Sequence, residues 1–118
     1  MAGLTAGALL QQVDGLLSNG YRAEEKLRWL SQAEGFIRTA VYGMEGEVSL
    51  SEEDVLMAPA PYQELYRYYV EAQIHYCNGE MTRYNNAAAM WNNALMTLRD
   101  AVNRRGAGKQ GAAALRFA

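Results

Sequence analysis

The sequence is poor in the side chains that most often build metal sites and nucleophilic catalytic centres. Its 118 residues include one histidine, His75, and one cysteine, Cys77. These two residues are two positions apart on a predicted helix, so their side chains face different directions and cannot share a metal without further ligands. A single cysteine also excludes an internal disulfide, which suits a reducing compartment. The sequence therefore predicts a protein that is not an enzyme, with no catalytic residues, no metal and no other cofactor.

Features of membrane proteins, secreted proteins and nucleotide-binding proteins are missing as well. The longest apolar run falls far short of the about 18 residues that a membrane-spanning helix needs. Residues 1–5 show no basic region followed by an apolar one, so no signal peptide is predicted. Gly106, Gly108 and Gly111 lack the lysine and hydroxyl of a phosphate-binding loop, and the acids of 45–54 do not have the spacing of a calcium loop. We expect a soluble protein with no membrane partner.

Four segments of the sequence place apolar residues at helical spacing. Half of the residues are hydrophobic and a fifth are charged, as in a globular domain. The spacing predicts helices over residues 4–17, 23–42, 61–78 and 80–104. Thr5 is the predicted N-cap of the first helix, Pro61 the first residue of the third and Gly79 the residue that ends it. The predicted fold is all-α, a small bundle of about four helices with a long loop over 43–60.

The chain divides into a helical domain over residues 1–105 and a Gly/Ala-rich C-terminal extension over 106–118. Within the domain, Phe36 is expected on the buried side of helix 2, and residues 81–102 form an apolar seam along helix 4. Helix 4 also carries two asparagine pairs seven residues apart. They are interpreted either as solvent-exposed residues or as a hydrogen-bonding strip toward another chain.

Charge is distributed unevenly, although the net charge is only −2. Residues 45–54 contain five acids and no base, whereas residues 99–118 contain five bases and one acid. One interpretation is two solvated stretches; the other is that surfaces of opposite sign meet at a contact between chains. Nucleic-acid binding is only weakly indicated, because alanine and glycine dilute the bases. On the second interpretation, the residues that meet are Glu52, Glu53 and Asp54 on one subunit and Arg104 and Arg105 on the next.

Aromatic residues supply a second set of candidate contacts. Five tyrosines fall within residues 62–76, and a tyrosine favours the margin of a core or an interface because its hydroxyl needs a partner. Tyr68 and Tyr76 point away from the face that the others share, so these two are candidate interface residues. After the last helix, Leu115 and Phe117 follow a glycine-rich stretch. That pattern is typical of a segment that orders on a partner, and equally of a frayed terminus.

The spacing of aromatic residues and asparagines resembles that of head–tail connector proteins, the adaptor or head-completion proteins of long-tailed bacteriophages and prophages. The resemblance covers about residues 23–104. It rests on Arg28-Trp29-Leu30-Ser31, on residues 56–66, on Tyr69, Gln73-Ile74, Tyr76 and Asn78-Gly79-Glu80, and on residues 83–92 with the run Arg-Tyr-Asn-Asn-Ala-Ala-Ala-Met-Trp-Asn. It does not include the first helix or the C-terminal extension.

The resemblance implies a structural virion protein that assembles as a ring under the portal and joins the DNA-filled head to the tail. Its implied partners are copies of itself, the portal protein and a stopper or tail-completion protein, with DNA only as the content of the channel. The implied location is the head–tail junction of the virion, and the host cytoplasm during assembly. The alternative is a small non-enzymatic regulatory or scaffold protein that binds one protein partner. The opposite charges of the loop and the C-terminal end favour a head-to-tail ring over a twofold dimer.

Overall fold

The computed structural model describes residues 3–109, with side chains described through Arg105. Four helices fill most of this range: α1 (Ala6–Leu16), α2 (Ala23–Ala40), α3 (Glu64–Cys77) and α4 (Met81–Lys109). Within the described residues there is no strand, and one isolated antiparallel bridge joins Thr5 to Val55. The predicted all-α bundle is confirmed. None of the described helices combines the length and the apolar character needed to cross a membrane.

The starts of α1 and α2 follow from local capping. Thr5 has extended backbone angles, and its hydroxyl accepts a hydrogen bond from the backbone N–H of Ala8 at 3.2 Å, as an N-cap residue does. At the start of α2, the Glu25 carboxylate accepts from the backbone N–H of Arg22 at 3.4 Å, half of a capping box. The hydrogen bond from the Ala8 N–H confirms the prediction that Thr5 is the N-cap of α1.

The third helix begins at Glu64, so the prediction that Pro61 is its first residue is wrong. The backbone from Pro59 to Tyr62 instead forms a turn, in which the Tyr62 N–H donates to the Pro59 carbonyl at 2.8 Å. The end of α3 agrees with the sequence, because Gly79 has φ +77° and reverses the chain there. The end predicted for the fourth helix at Arg104 is also wrong, since α4 continues to Lys109. Helix α4 can include Gly106 and Gly108, because a glycine weakens a helix by about 1 kcal/mol relative to alanine without forbidding it.

Helix α3 is central to the bundle, because it contacts α1, α2 and α4, whereas α4 packs chiefly against α3. The core forms where these helices meet, and its fully buried large side chains include Leu9, Leu30, Ile37, Leu65, Ile74 and Leu98. At 1.5 Å per residue, α4 is about 43 Å long and α3 about 21 Å. The C-terminal turns of α4 therefore extend past the first turn of α3, which lies beside residues 93–97.

A buried polar network fixes the long loop to this core. The Glu34 carboxylate is 0% exposed and accepts hydrogen bonds from the Tyr66 hydroxyl at 2.6 Å and the Met57 N–H at 2.8 Å. The same hydroxyl accepts from the Ala58 N–H at 2.8 Å. Burial and the neighbouring Glu34 carboxylate both raise the pKa of Tyr66, so the phenol stays protonated as a donor. Two side chains, from α2 and α3, thus hold the backbone of residues 57–58.

A second polar group is buried between α1 and α2. The Lys26 ammonium donates to Asp14 at 2.8 Å and to Asn19 at 3.2 Å, and only 6% of Lys26 is exposed. Partial burial alone would raise the pKa of Asp14, but the hydrogen bonds from Lys26 and Asn19 outweigh burial and hold this pKa below its usual value. This cluster joins the end of α1 to the first turn of α2.

Candidate assembly surfaces

The predicted acidic residues lie in a turn, residues 51–54, that we call the acidic turn. The Asp54 N–H donates to the Ser51 carbonyl at 3.1 Å, and the Asp54 carboxylate accepts from the Ser51 N–H at 2.8 Å. The carbonyls of Glu52 and Asp54 accept hydrogen bonds from the first N–H groups of α1, those of Gly7 and Ala6, each at 2.9 Å. The acidic turn therefore covers the N-terminus of α1, while its carboxylates stay exposed.

The close approach between α1 and the acidic turn explains why glycine stands at position 7. A Cβ atom added to Gly7 would lie 3.2 Å from the Cβ atom of Glu52 and 3.2 Å from its carbonyl oxygen. Helix α1 also has no acidic residue in its own first turn. Negative charge is favourable near a helix N-terminus, by about 0.3–1 kcal/mol per group at exposed sites. The acidic turn thus has a role inside its own chain, which the sequence pattern did not indicate.

The predicted basic residues lie on the surface near the end of α4. Arg104 and Arg105 are exposed. In the part of the chain with described side chains, neither arginine forms an ion pair, and neither does any acid of the acidic turn. The structure thus leaves two exposed, unpaired segments of opposite charge and does not join them within one chain. Whether they meet between chains stays a prediction.

The two tyrosines chosen from the sequence differ in their surroundings. Tyr68 is partly buried, and the Arg67 guanidinium lies over its ring, 4.8 Å from the centroid. Hydrogen bonds to Glu64 and Glu71 raise the pKa of Arg67 and hold the guanidinium there. Tyr76 is 57% exposed, and its ring centroid is 5.3 Å from that of Tyr84. Tyr76 therefore presents the larger free surface.

The remaining two candidates, Leu115 and Phe117, lie outside the described residues. So does most of the predicted extension over 106–118, of which the backbone to Lys109 continues α4.

An aromatic cluster that the sequence did not predict lies between α2, α3 and α4. The Tyr69 ring centroid is 4.9 Å from that of Trp91 and 6.1 Å from that of Phe36. Phe36 was expected in the core but is 53% exposed. The sequence contains a signal for this exposure, because Phe36 lies about 100° around the helix from Ile37, the centre of the buried stripe. Beside Phe36 and Tyr69 runs a groove of about 580 Å³, lined also by Arg28, Gln32 and Val48.

The single histidine and the single cysteine of the sequence lie in the last turn of α3. Among residues 3–105, no group of three or more histidine, cysteine, aspartate or glutamate side chains could hold a metal ion. His75 Nδ1 lies 2.7 Å from a carboxylate oxygen of Glu80, and that hydrogen bond lowers the pKa of Glu80. The pair links the end of α3 to the residue that precedes α4, which gives His75 a structural role. Cys77 is exposed and is a free thiol.

Exposed charged segments and exposed aromatic rings are thus the main surface features of the described residues. Compared with protein-family models, curated protein sequences and solved structures, the chain matches none of them. The resemblance to head–tail connector proteins therefore remains a pattern of residues in this sequence.

Proposed function

We propose that this chain is a structural protein of a bacteriophage virion, a head–tail connector that assembles as a ring under the portal and joins the DNA-filled head to the tail. The observation that carries the proposal is the pair of exposed, unpaired segments of opposite charge, the acidic turn and the Arg104–Arg105 end of α4. The residue pattern shared with head–tail connectors supports the same assignment.

A ring needs two different surfaces on each subunit that fit each other head to tail. The acidic turn and the basic end of α4 have this complementary character. Exposed ion pairs of this kind contribute only about 0.2–1 kcal/mol each, so they set register and association rate more than final affinity. Further affinity between subunits must come from apolar surface, of which the exposed ring of Tyr76 is one example.

In this proposal the ring lies between two partners, the portal protein on one side and a stopper or tail-completion protein on the other. DNA passes through the channel as its content and is not bound in a sequence-specific manner. No substrate, cofactor or membrane takes part.

Charge exchange tests the contact directly. Arg104→Glu with Arg105→Glu should impair ring formation, measured by mass photometry of the purified protein and by its attachment to portal-bearing heads. Adding Glu52→Arg with Glu53→Arg to the same chain should restore part of the assembly, because the opposite charges then face each other again. Wild-type assembly should weaken between 0.1 M and 1 M salt, as the screening length falls from about 10 Å to about 3 Å.

The rescue needs a control for net charge. Glu45→Arg with Glu47→Arg makes the same charge change in the same loop, outside the acidic turn, and should not rescue. Circular dichroism must show that every variant is folded, since reversing Glu52 and Glu53 also places positive charge near the start of α1. If folded chains with both reversals assemble no better than those with the arginine reversal alone, the two segments do not meet and this ring contact is wrong.

One observation favours the alternative, a helical scaffold or regulatory protein with one protein partner. The groove beside Phe36 combines exposed aromatic surface with a concave shape, which suits a single bound segment of another protein. A chain that never exceeds one or two copies, with or without portal-bearing heads, would support this alternative over the ring.

A further inference from the structure

The solvent side of α4 is uncharged over a long distance. Between Arg83 and Arg99 the sequence contains no acid and no base. The opposite side of the helix packs against the bundle through Trp91 and Leu98. We call the side of this stretch that faces away from Trp91 and Leu98 the amide face. Its residues, all of them exposed, are Asn85, Asn86, Ala89, Asn92, Asn93 and Met96. Such a face, with amides around small or flexible apolar residues, is unusual for a helix that meets only water, where charged residues prevail.

The four asparagines are placed symmetrically along the helix. Ala89 is the centre, and the asparagines stand three and four positions before it and three and four positions after it. Thr82 and Met96 stand seven positions away on either side. Reversing the direction of the helix about Ala89 therefore superposes each asparagine pair on the other pair.

We propose that the amide face is a contact between two copies of this chain, whose α4 helices pack antiparallel across a twofold axis at Ala89. A twofold contact uses the same surface on both subunits, which is the symmetry that the spacing provides. In this arrangement Asn85 lies beside Asn93 of the second copy, and Asn86 lies beside Asn92 of the second copy. A side-chain amide both donates and accepts hydrogen bonds, so such pairs satisfy each other. Ala89 at the axis lets the two backbones approach closely.

Charge selects the antiparallel arrangement over the parallel one. Beyond the amide face, α4 carries Arg99, Arg104 and Arg105 against the single acid Asp100. A parallel pair would bring the two basic ends together. In the antiparallel pair each Arg104 is about 22 Å along the helix from the axis, so the two ends are about 45 Å apart. At 0.1 M salt, where screening acts over about 10 Å, they no longer repel each other.

Other occupants fit the amide face less well. Nucleic acid is bound through lysine and arginine, and residues 84–98 contain neither. A lipid surface would leave the four exposed amides without hydrogen-bond partners. The proposal does not depend on the ring, because the acidic turn and the end of α4 contribute no residue to the amide face.

Self-crosslinking of cysteine tests the position of the axis. In a Cys77→Ser background, Ala89→Cys should form a disulfide-linked dimer under mild oxidation, because a disulfide requires Cα atoms about 4.4–6.8 Å apart. Thr82→Cys, also at an exposed position, is the matched control. Two copies of residue 82 lie about 21 Å apart in the antiparallel pair, so this variant should not link to itself. Mixed with a Met96→Cys chain, it should form the heterodimer.

A second measurement without cysteine keeps the test independent of disulfide chemistry. Sedimentation of the wild type should show a concentration-dependent dimer. Asn86→Asp with Asn92→Asp should raise its dissociation constant at least tenfold, because carboxylates then face carboxylates, whereas Asn103→Asp, outside the contact, should leave it unchanged. Absence of the Ala89→Cys dimer from a folded, self-associating chain would overturn the proposal, as would self-linking of Thr82→Cys or a chain that stays monomeric up to millimolar concentration. These outcomes leave the charge-exchange rescue untouched, so failure of the dimer and failure of the ring are distinguishable.

Discussion

The bundle of the first three helices and the fourth helix use polar residues in opposite ways. In the bundle, Glu34, Tyr66 and Lys26 are buried, and each makes two hydrogen bonds that tie neighbouring segments together. On α4 the polar residues of the amide face are exposed and uncharged. The difference teaches that the buried polar groups stabilise the fold, whereas the exposed amides of α4 are available to the second copy that we propose. Buried polar groups destabilise strongly when one partner is lost, whereas exposed ones change stability little.

The largest effect on stability is expected when one oxygen atom is deleted from the buried polar network of the bundle. Tyr66→Phe removes the donor to Glu34 and the acceptor of the Ala58 N–H, and it leaves both groups buried without that partner. Because each unsatisfied buried group costs about 1–3 kcal/mol, we expect a loss of about 2–4 kcal/mol in the free energy of unfolding. Urea denaturation followed by circular dichroism measures it.

Tyr76→Phe is the matched control, because it deletes the same atom from an exposed ring on the same helix. It should change stability by less than about 0.5 kcal/mol. If both variants lost the same free energy, the buried network would contribute no more than a surface hydroxyl, and the contrast between the two regions would fail at its strongest point.

A smaller effect is expected at the contact between α1 and α2. Lys26→Met keeps most of the side-chain volume but removes the ammonium that donates to Asp14 and Asn19. At neutral pH we expect a loss of about 1 kcal/mol, since Asp14 is half exposed and solvent screens the pair. Arg28→Met, at an exposed position of the same helix, is the control and should change little.

The loss from Lys26→Met should depend on pH in one direction. The folded-state pKa of Asp14 lies below its ordinary value, so the pair stabilises the protein above that ordinary value, near pH 4. Its contribution falls as pH drops through the lower folded-state pKa and Asp14 becomes protonated. Unfolding measured from pH 6 downward should therefore show the gap between Lys26→Met and the wild type narrowing below about pH 4. A gap that stays constant to pH 2 would mean that the ion pair is not its source.

Local features of the fold could be predicted from the sequence because they depend on neighbouring residues. Thr5 as N-cap and Gly79 as the end of α3 belong to this class. The role of Glu34 does not, since a single glutamate in a helix is typical of a surface position, and only the folded chain places Tyr66 and the loop backbone around it. The exposure of Phe36 could have been predicted, because Phe36 lies about 100° around the helix from the centre of the buried stripe. Pro61 alone favoured a helix start, but the residues from Pro59 to Tyr62 form a turn instead.

The candidate surfaces divide in the same way. Composition predicted which segments carry charge, and the structure shows that the acidic turn and Arg104–Arg105 are exposed. The sequence could not show that the acidic turn covers the start of α1, because that contact joins residues more than forty positions apart. Nor can one chain show which surfaces meet between copies.

The smallest expected effect on folding sharpens the comparison from the side of α4. Asparagine is a poorer helix former than alanine by about 0.5 kcal/mol, so the four exposed asparagines weaken α4 whether or not they also bind a second copy. Asn85→Ala with Asn93→Ala should therefore raise the unfolding free energy by about 1 kcal/mol, or the melting temperature by about 4 °C. The same variant should weaken the proposed dimer, because two amide pairs of the contact are lost.

Melting is measured at a concentration where the chain is monomeric, and association by sedimentation at higher concentration. Asn103→Ala, exposed on the same helix but outside the amide face, should stabilise slightly without changing association. A double variant that is more stable and still dimerises fully would show that these asparagines only face solvent. One that is more stable and dimerises poorly would mean that α4 gives up stability to keep a surface for a second chain.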